Sequence, residues 1–282
     1  MDFDFLEEEE QKQNVSEFTL TEYPNTMFLN KIHRHEDIYE PQRPEYRYYC
    51  DLVKDGKIEI EYVKTKQYGR YFIKNTKMRS GCAMCKKVRA TLFNETEYDI
   101  DIVSAHQSLL YHCVKDEGTF KFLKMYIKDK DLIFKLCSIK QKCIDDYNSR
   151  KTKKDCLTKK DILKNLVTRL LYGGIEKTWA DDFGLCMEDY KLSKEFYELV
   201  KDMNEACSIL LNPQNEKYGD MITNIRKQII ETEEEKFNEA EEERCKKDGR
   251  LKPRKFDITN FKVKPRKVVS ILLQELECRA VM

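Results

Sequence analysis

A chain of 282 residues is long enough to bury a sizeable core, as one large domain or two ordinary ones. Its 52 Lys and Arg nearly cancel 51 Asp and Glu; the net charge of +1 excludes a global field drawing it onto nucleic acid or membrane, so any polyanion site must be local. There is no apolar run of about 18 residues, and Glu7 to Glu10 make the N-terminus unlike a secretory signal, so the expectation is an intracellular protein whose 11 cysteines stay free.

Residues 1–45 carry an acidic block, a polar run, Pro41 and Pro44, and are expected to form an extension that is loose or docks late. His33 and His35 stand two apart, a spacing for a strand or loop metal site, but two imidazoles alone fit a solvent-exposed pair. Lys57 to Val63 and Arg70 to Lys74 alternate apolar with polar residues and read as strands. Cys82-Ala-Met-Cys85 is at most half of a zinc ribbon, with loop thiols as the default. A short helix is predicted over 84–93 and a strand over 95–103.

The pattern around Asp101 organises the chain. Ile100 and Ile102 point to one face of that strand, while Asp99, Asp101 and Val103 point to the other. Ser104 is a candidate N-cap for a helix with an apolar stripe of Ala105, Leu109, Leu110 and Cys113. A strand-end carboxylate with a helix behind it suits metal binding; the plainer alternative is a buried strand whose Asp caps a nearby turn. Beyond it the chain reads as helical, over 104–115, 119–128, 131–147, 158–172, 190–211, 214–246 and 266–281. A small antiparallel sheet with a large helical part is an α+β arrangement. Sixteen Lys or Arg face eight Asp or Glu between Lys115 and Arg169, so the middle is locally basic, and Glu231 to Glu243 is an acidic counterpart.

The predicted helix 158–172 has two sides. Ile162, Leu163, Leu166, Val167, Leu170 and Leu171 form an inward face, whereas Lys160, Lys164, Thr168 and Tyr172 step along a polar ridge ended by Gly173-Gly174. Two ammonium groups, a hydroxyl and an aromatic ring, beside glycines that let a backbone come close, are suited to a nucleotide: the lysines meet phosphates and the ring meets a base.

The order Lys160, three residues, Lys164, seven residues, Tyr172-Gly173 resembles the fingers-helix motif of family A DNA polymerases and phage-type RNA polymerases, with Lys160 where the motif has Arg. Asp99-Ile-Asp-Ile-Val-Ser-Ala-His-Gln107 is similar to the first palm motif of the transposon and virophage relatives of family A, Asp-x-Asp-x-x-Asn-x-His-Pro, with Ser104 and Gln107 as departures. Tyr68 to Phe72 and Arg89 to Phe93 resemble the strand and helix leading into that motif, and Gln274-Glu-Leu-Glu277 resembles the Gln-x-x-Glu helix that precedes the last motif.

The resemblance implies a palm with motif A over 46–115, a fingers-like region over 116–265 and a helix returning to the palm over 266–282. It implies a template-directed DNA polymerase or the N-terminal part of one: Asp101 helps bind two magnesium ions, Lys164 neutralises the triphosphate with Lys160 in support, and Tyr172 stacks near the nascent base pair beside Gly173. His106, five residues past Asp101, takes the place of the bulky residue that excludes a ribose 2′ hydroxyl, and Gln274 is a nucleic-acid contact. The implied partners are primer-template DNA and deoxynucleoside triphosphates, with a helicase, or a polypeptide carrying the rest of the palm, as further candidates and no membrane. The second metal-binding Asp of such enzymes falls in a hairpin after the last helix, and Asp248-Gly249, which imitates it, reads instead as a helix-ending turn. A catalytically inactive polymerase-like subunit and an unrelated helical interaction protein remain the alternatives.

Overall fold

In β2 (Ile58–Val63), Ile58, Ile60 and Tyr62 are buried while Glu59 and Glu61 face solvent, the period-two pattern of a strand with one face in a core. The computed structural model describes residues 17–32, 34–36, 38–93, 104–151, 156–212, 214–249 and 253–281. Asp101 and His33 lie outside them. Over the described residues the structure is α+β, 59% helical, with antiparallel sheets of three and two strands. It divides into two compact units, residues 1–102 and 103–282, a division that falls inside the expected palm segment.

In the first unit, β1 (Glu17–Glu22) pairs with β2 along its whole length, and β2 pairs with β3 (Phe72–Ile73). α1 (Thr26–Ile32), α2 (Arg43–Leu52) and α3 (Lys86–Phe93) share a core with the sheet, in which Tyr46, Tyr49 and Ile60 are fully buried. The extension expected over 1–45 therefore contributes a strand and a helix. Glu22, only 6% exposed, accepts hydrogen bonds from the Tyr49 hydroxyl at 2.9 Å and the Gly81 N–H at 3.0 Å, so the buried carboxylate has the partners it requires. A two-residue turn, Asp55-Gly56, with both φ positive, brings the chain into β2.

The second unit is helical. α10 (Lys194–Leu210) packs against α4 (Ala105–Val114), α5 (Lys121–Lys128) and α8 (Lys159–Leu171), burying Phe196, Leu199, Met203, Cys207 and Leu210 at helical spacing. Asp202 of α10 accepts the Phe122 and Leu123 N–H groups at 2.7 and 3.0 Å, so its carboxylate caps α5 from another helix. α11 (Gly219–Asp248) is long and charged and ends at Gly249, φ +63, the helix-ending turn read from Asp248-Gly249. α12 (Pro265–Val281) runs against α11 and α4.

Two of the helices predicted in this unit are interrupted or shortened by a strand pair. The helix predicted over 131–147 is three elements, α6 (Asp131–Phe134), β4 (Ser138–Ile139) and α7 (Gln141–Asn148), because β4 pairs antiparallel with β5 (Tyr190–Lys191). The same pairing moves the start of the helix predicted over 190–211 to Lys194, where the Ser193 hydroxyl caps the Phe196 N–H. Between them α9 (Glu176–Phe183) seats Trp179, fully buried. Each cysteine whose side chain is described is a free thiol.

Candidate nucleotide site

α8 is specified at both ends. Thr158 and Asp161 form a reciprocal capping box, the Thr158 side chain accepting the Asp161 N–H and the Asp161 carboxylate accepting the Thr158 N–H at 2.9 Å. The Thr158 hydroxyl, donating to that carboxylate, holds the Asp161 carboxyl below its ordinary range. At the other end the Gly174 N–H reaches the Arg169 carbonyl at 2.8 Å and the Gly173 N–H reaches that of Leu170 at 3.1 Å, with Gly173 at φ +78. That double closure is a Schellman stop, and it fixes where Tyr172 is presented.

Tyr172 meets His106. The two rings lie edge to face, with centroids 5.7 Å apart and an interplanar angle of 76°. His106 sits in the first turn of α4, and its Nε2 is 3.1 Å from Oε2 of Glu277 in α12. His106 and Glu277 side chains are 14% and 28% exposed, so the pair is partly shielded from water. The Tyr172 hydroxyl oxygen is buried and has no hydrogen-bond partner among the described residues.

Arg266, near the start of α12, closes the other side of the stop. Its guanidinium donates to the Leu171 carbonyl at 3.2 Å, to Cys207 Sγ at 2.6 Å and to the Asn204 side-chain oxygen, tying α8, α10 and α12 together. A Cβ on Gly173 would come within 2.7 Å of Arg266 Cγ, so the position requires glycine for space as well as for φ. Burial pushes the Cys207 thiol up to about 11, and it stays neutral beside the guanidinium.

The lysine ridge is differently placed. Lys160 is an exposed ion pair with Asp131, Nζ to Oδ1 2.8 Å, and that contact holds the Asp131 carboxyl below its ordinary range. Lys164 is exposed and has no ion-pair partner among the described residues, while the Thr168 hydroxyl donates back to the Lys164 carbonyl at 3.1 Å. Gln274 is half-buried on α12, its amide donating to Ser270 Oγ at 3.3 Å, one turn before Glu277. Ser104 holds the N-cap position expected of it but at φ 51, and its side chain makes no capping hydrogen bond among the described residues.

The structure thus brings together His106, Tyr172, Gly173 and the helix bearing Gln274. No family model, no curated protein and no solved structure matches the chain. Among the described residues, no group of three or more His, Cys, Asp or Glu side chains is placed to hold a metal ion, and no helix is long and apolar enough to cross a membrane. Glu277 and Arg266 were not legible as site residues. Glu277 carried one signal, its spacing of three from Gln274 on a helix face; Arg266 carried none, because its partners come from two other helices.

Proposed function

We propose that the chain is a template-directed DNA polymerase, or a part of one, using deoxynucleoside triphosphates on primer-template DNA. The observation that supports it best is the contact between His106 and Tyr172, two residues that separate motifs assign to one incoming nucleotide. A ring against a ring, at a helix stop, makes a wall for a base and sugar. Lys164, an exposed ammonium two turns back on the same ridge, is the phosphate contact, and Lys160 reaches phosphate only by leaving Asp131. An exposed pair of that kind is screened by water and contributes little, so the exchange costs little. On this reading Asp101 would hold magnesium, which neutralises charge at the reacting phosphate; the helical unit's own side chains bind and orient the nucleotide.

Primer extension tests it directly. The wild-type protein is expected to extend a primer with deoxynucleotides and to use ribonucleotides poorly, because the His106 imidazole fills the space of a 2′ hydroxyl. His106→Gly should raise ribonucleotide incorporation at least about tenfold, roughly 1.4 kcal/mol, while deoxynucleotide use continues. Equal use of both sugars by the wild type, or an unchanged preference in the variant, would remove His106 from the site.

Lys164→Ala should act on nucleotide use. A charge-assisted contact is worth about 1.5–3 kcal/mol, so KM for the deoxynucleotide should rise roughly ten- to hundredfold, with primer-template affinity little altered. Steady-state kinetics with varied nucleotide check this, and an unchanged KM would sink the phosphate role.

A further inference from the structure

His106 has an anchor that the sugar-exclusion argument does not itself supply. An imidazole on a helix turns about two side-chain torsions, and a ring free to turn aside would yield to a hydroxyl instead of excluding it. Here Glu277 Oε2 engages Nε2 at 3.1 Å from one side while the Tyr172 ring stands 5.7 Å away on another. Nδ1 takes no hydrogen-bond partner among the described residues. The helices carrying the pair are locked together, since Leu109 and Leu110 of α4 and Leu272 and Leu273 of α12 are fully buried and α4 packs against α12. Core packing therefore fixes the backbone of Glu277 relative to that of His106, and the contact between Nε2 and Oε2 ties the two side chains to each other.

We infer that Glu277 is a positioning residue for sugar choice: by holding the His106 imidazole in one orientation, it makes the ring a rigid stop against the 2′ hydroxyl of a ribonucleoside triphosphate. This rests on the polymerase reading. Glu277 touches His106 and acts on the nucleotide only through it. A hydrogen bond to a carboxylate in a partly shielded site is stronger than one between neutral groups, which suits an anchor that must resist displacement.

The test uses the full chain, a primer-template duplex whose primer ends in a dideoxynucleotide, and equilibrium binding of magnesium dATP or magnesium ATP opposite a template thymine. Wild type is expected to favour dATP. Glu277→Ala should lower that preference about tenfold, equivalent to roughly 1.4 kcal/mol of discrimination. Glu277→Gln, whose amide oxygen still accepts from the imidazole, should recover most of it. In a His106→Gly background, Glu277→Ala should change the ratio no further, the outcome required if one residue acts through the other. A residue that only stabilised the helix packing would weaken both nucleotides together and leave the ratio alone.

A wild type that discriminates, with a ratio unmoved by Glu277→Ala or moved equally without His106, overturns the inference and leaves the polymerase reading standing. A wild type that binds neither triphosphate overturns that reading, and the inference falls with it.

Discussion

Trp179→Ala is expected to remove about 3–5 kcal/mol from the stability of the helical unit, the cost of deleting a large aromatic side chain from a packed core. Trp179 is fully buried, and its ring lies 5.2 Å from that of Tyr190 at 90° and 6.0 Å from that of Phe183. Its indole N–H donates to the Ile162 carbonyl at 3.1 Å, joining α9 to the first turn of α8. Alanine would leave a cavity between these elements and an open place beside the strand pair that Tyr190 belongs to. Such a loss is a large fraction of the roughly 5–15 kcal/mol typical of a folded domain. Trp179→Phe keeps most of the volume and should cost less. Urea unfolding followed by far-ultraviolet circular dichroism checks both, since the variants lose the chain's single tryptophan as a fluorescent reporter. An unfolding free energy within about 1 kcal/mol of wild type for Trp179→Ala would mean that the core around α9 can collapse without it.

The same residues show what a sequence reveals and where it stops. α8 was legible because each of its signals is local: Thr158 with Asp161 three residues on, an apolar face at helical spacing, and two glycines after Tyr172. The break between α6 and α7 was not, because Ser138 and Ile139 become a strand only through Lys191 and Tyr190, some fifty residues away in the chain. β1 was missed for a similar reason. Of its six residues only Glu22 is buried, so the strand carries almost no apolar alternation, and pairing with β2 defines it. Within the site, His106 and Tyr172 were each readable from a motif, but their contact is tertiary. Glu277 and Arg266 became visible only when α12 was seen against α4, α8 and α10.

The largest effect on activity is expected at Asp101. Asp101→Asn keeps the size of the side chain and removes its charge, which separates a metal-binding role from a packing role. Magnesium is bound through one or two carboxylates together with substrate phosphates, so losing one carboxylate removes much of what holds the ion. Metal-dependent primer extension should fall at least about 10³-fold, roughly 4 kcal/mol. Affinity for primer-template should change little, because binding to a duplex without sequence preference comes from Lys and Arg displacing counterions from phosphates. The chain offers a source for that term in the basic segment between Lys115 and Arg169, distinct from Asp101. Three measurements separate the outcomes: extension rate against magnesium concentration, primer-template affinity against salt, and the thermal midpoint. Lost extension with the other two unchanged fits a metal ligand. Lost extension with a lowered midpoint gives Asp101 a packing or turn-capping role instead. Extension as fast as wild type removes Asp101 from the metal site.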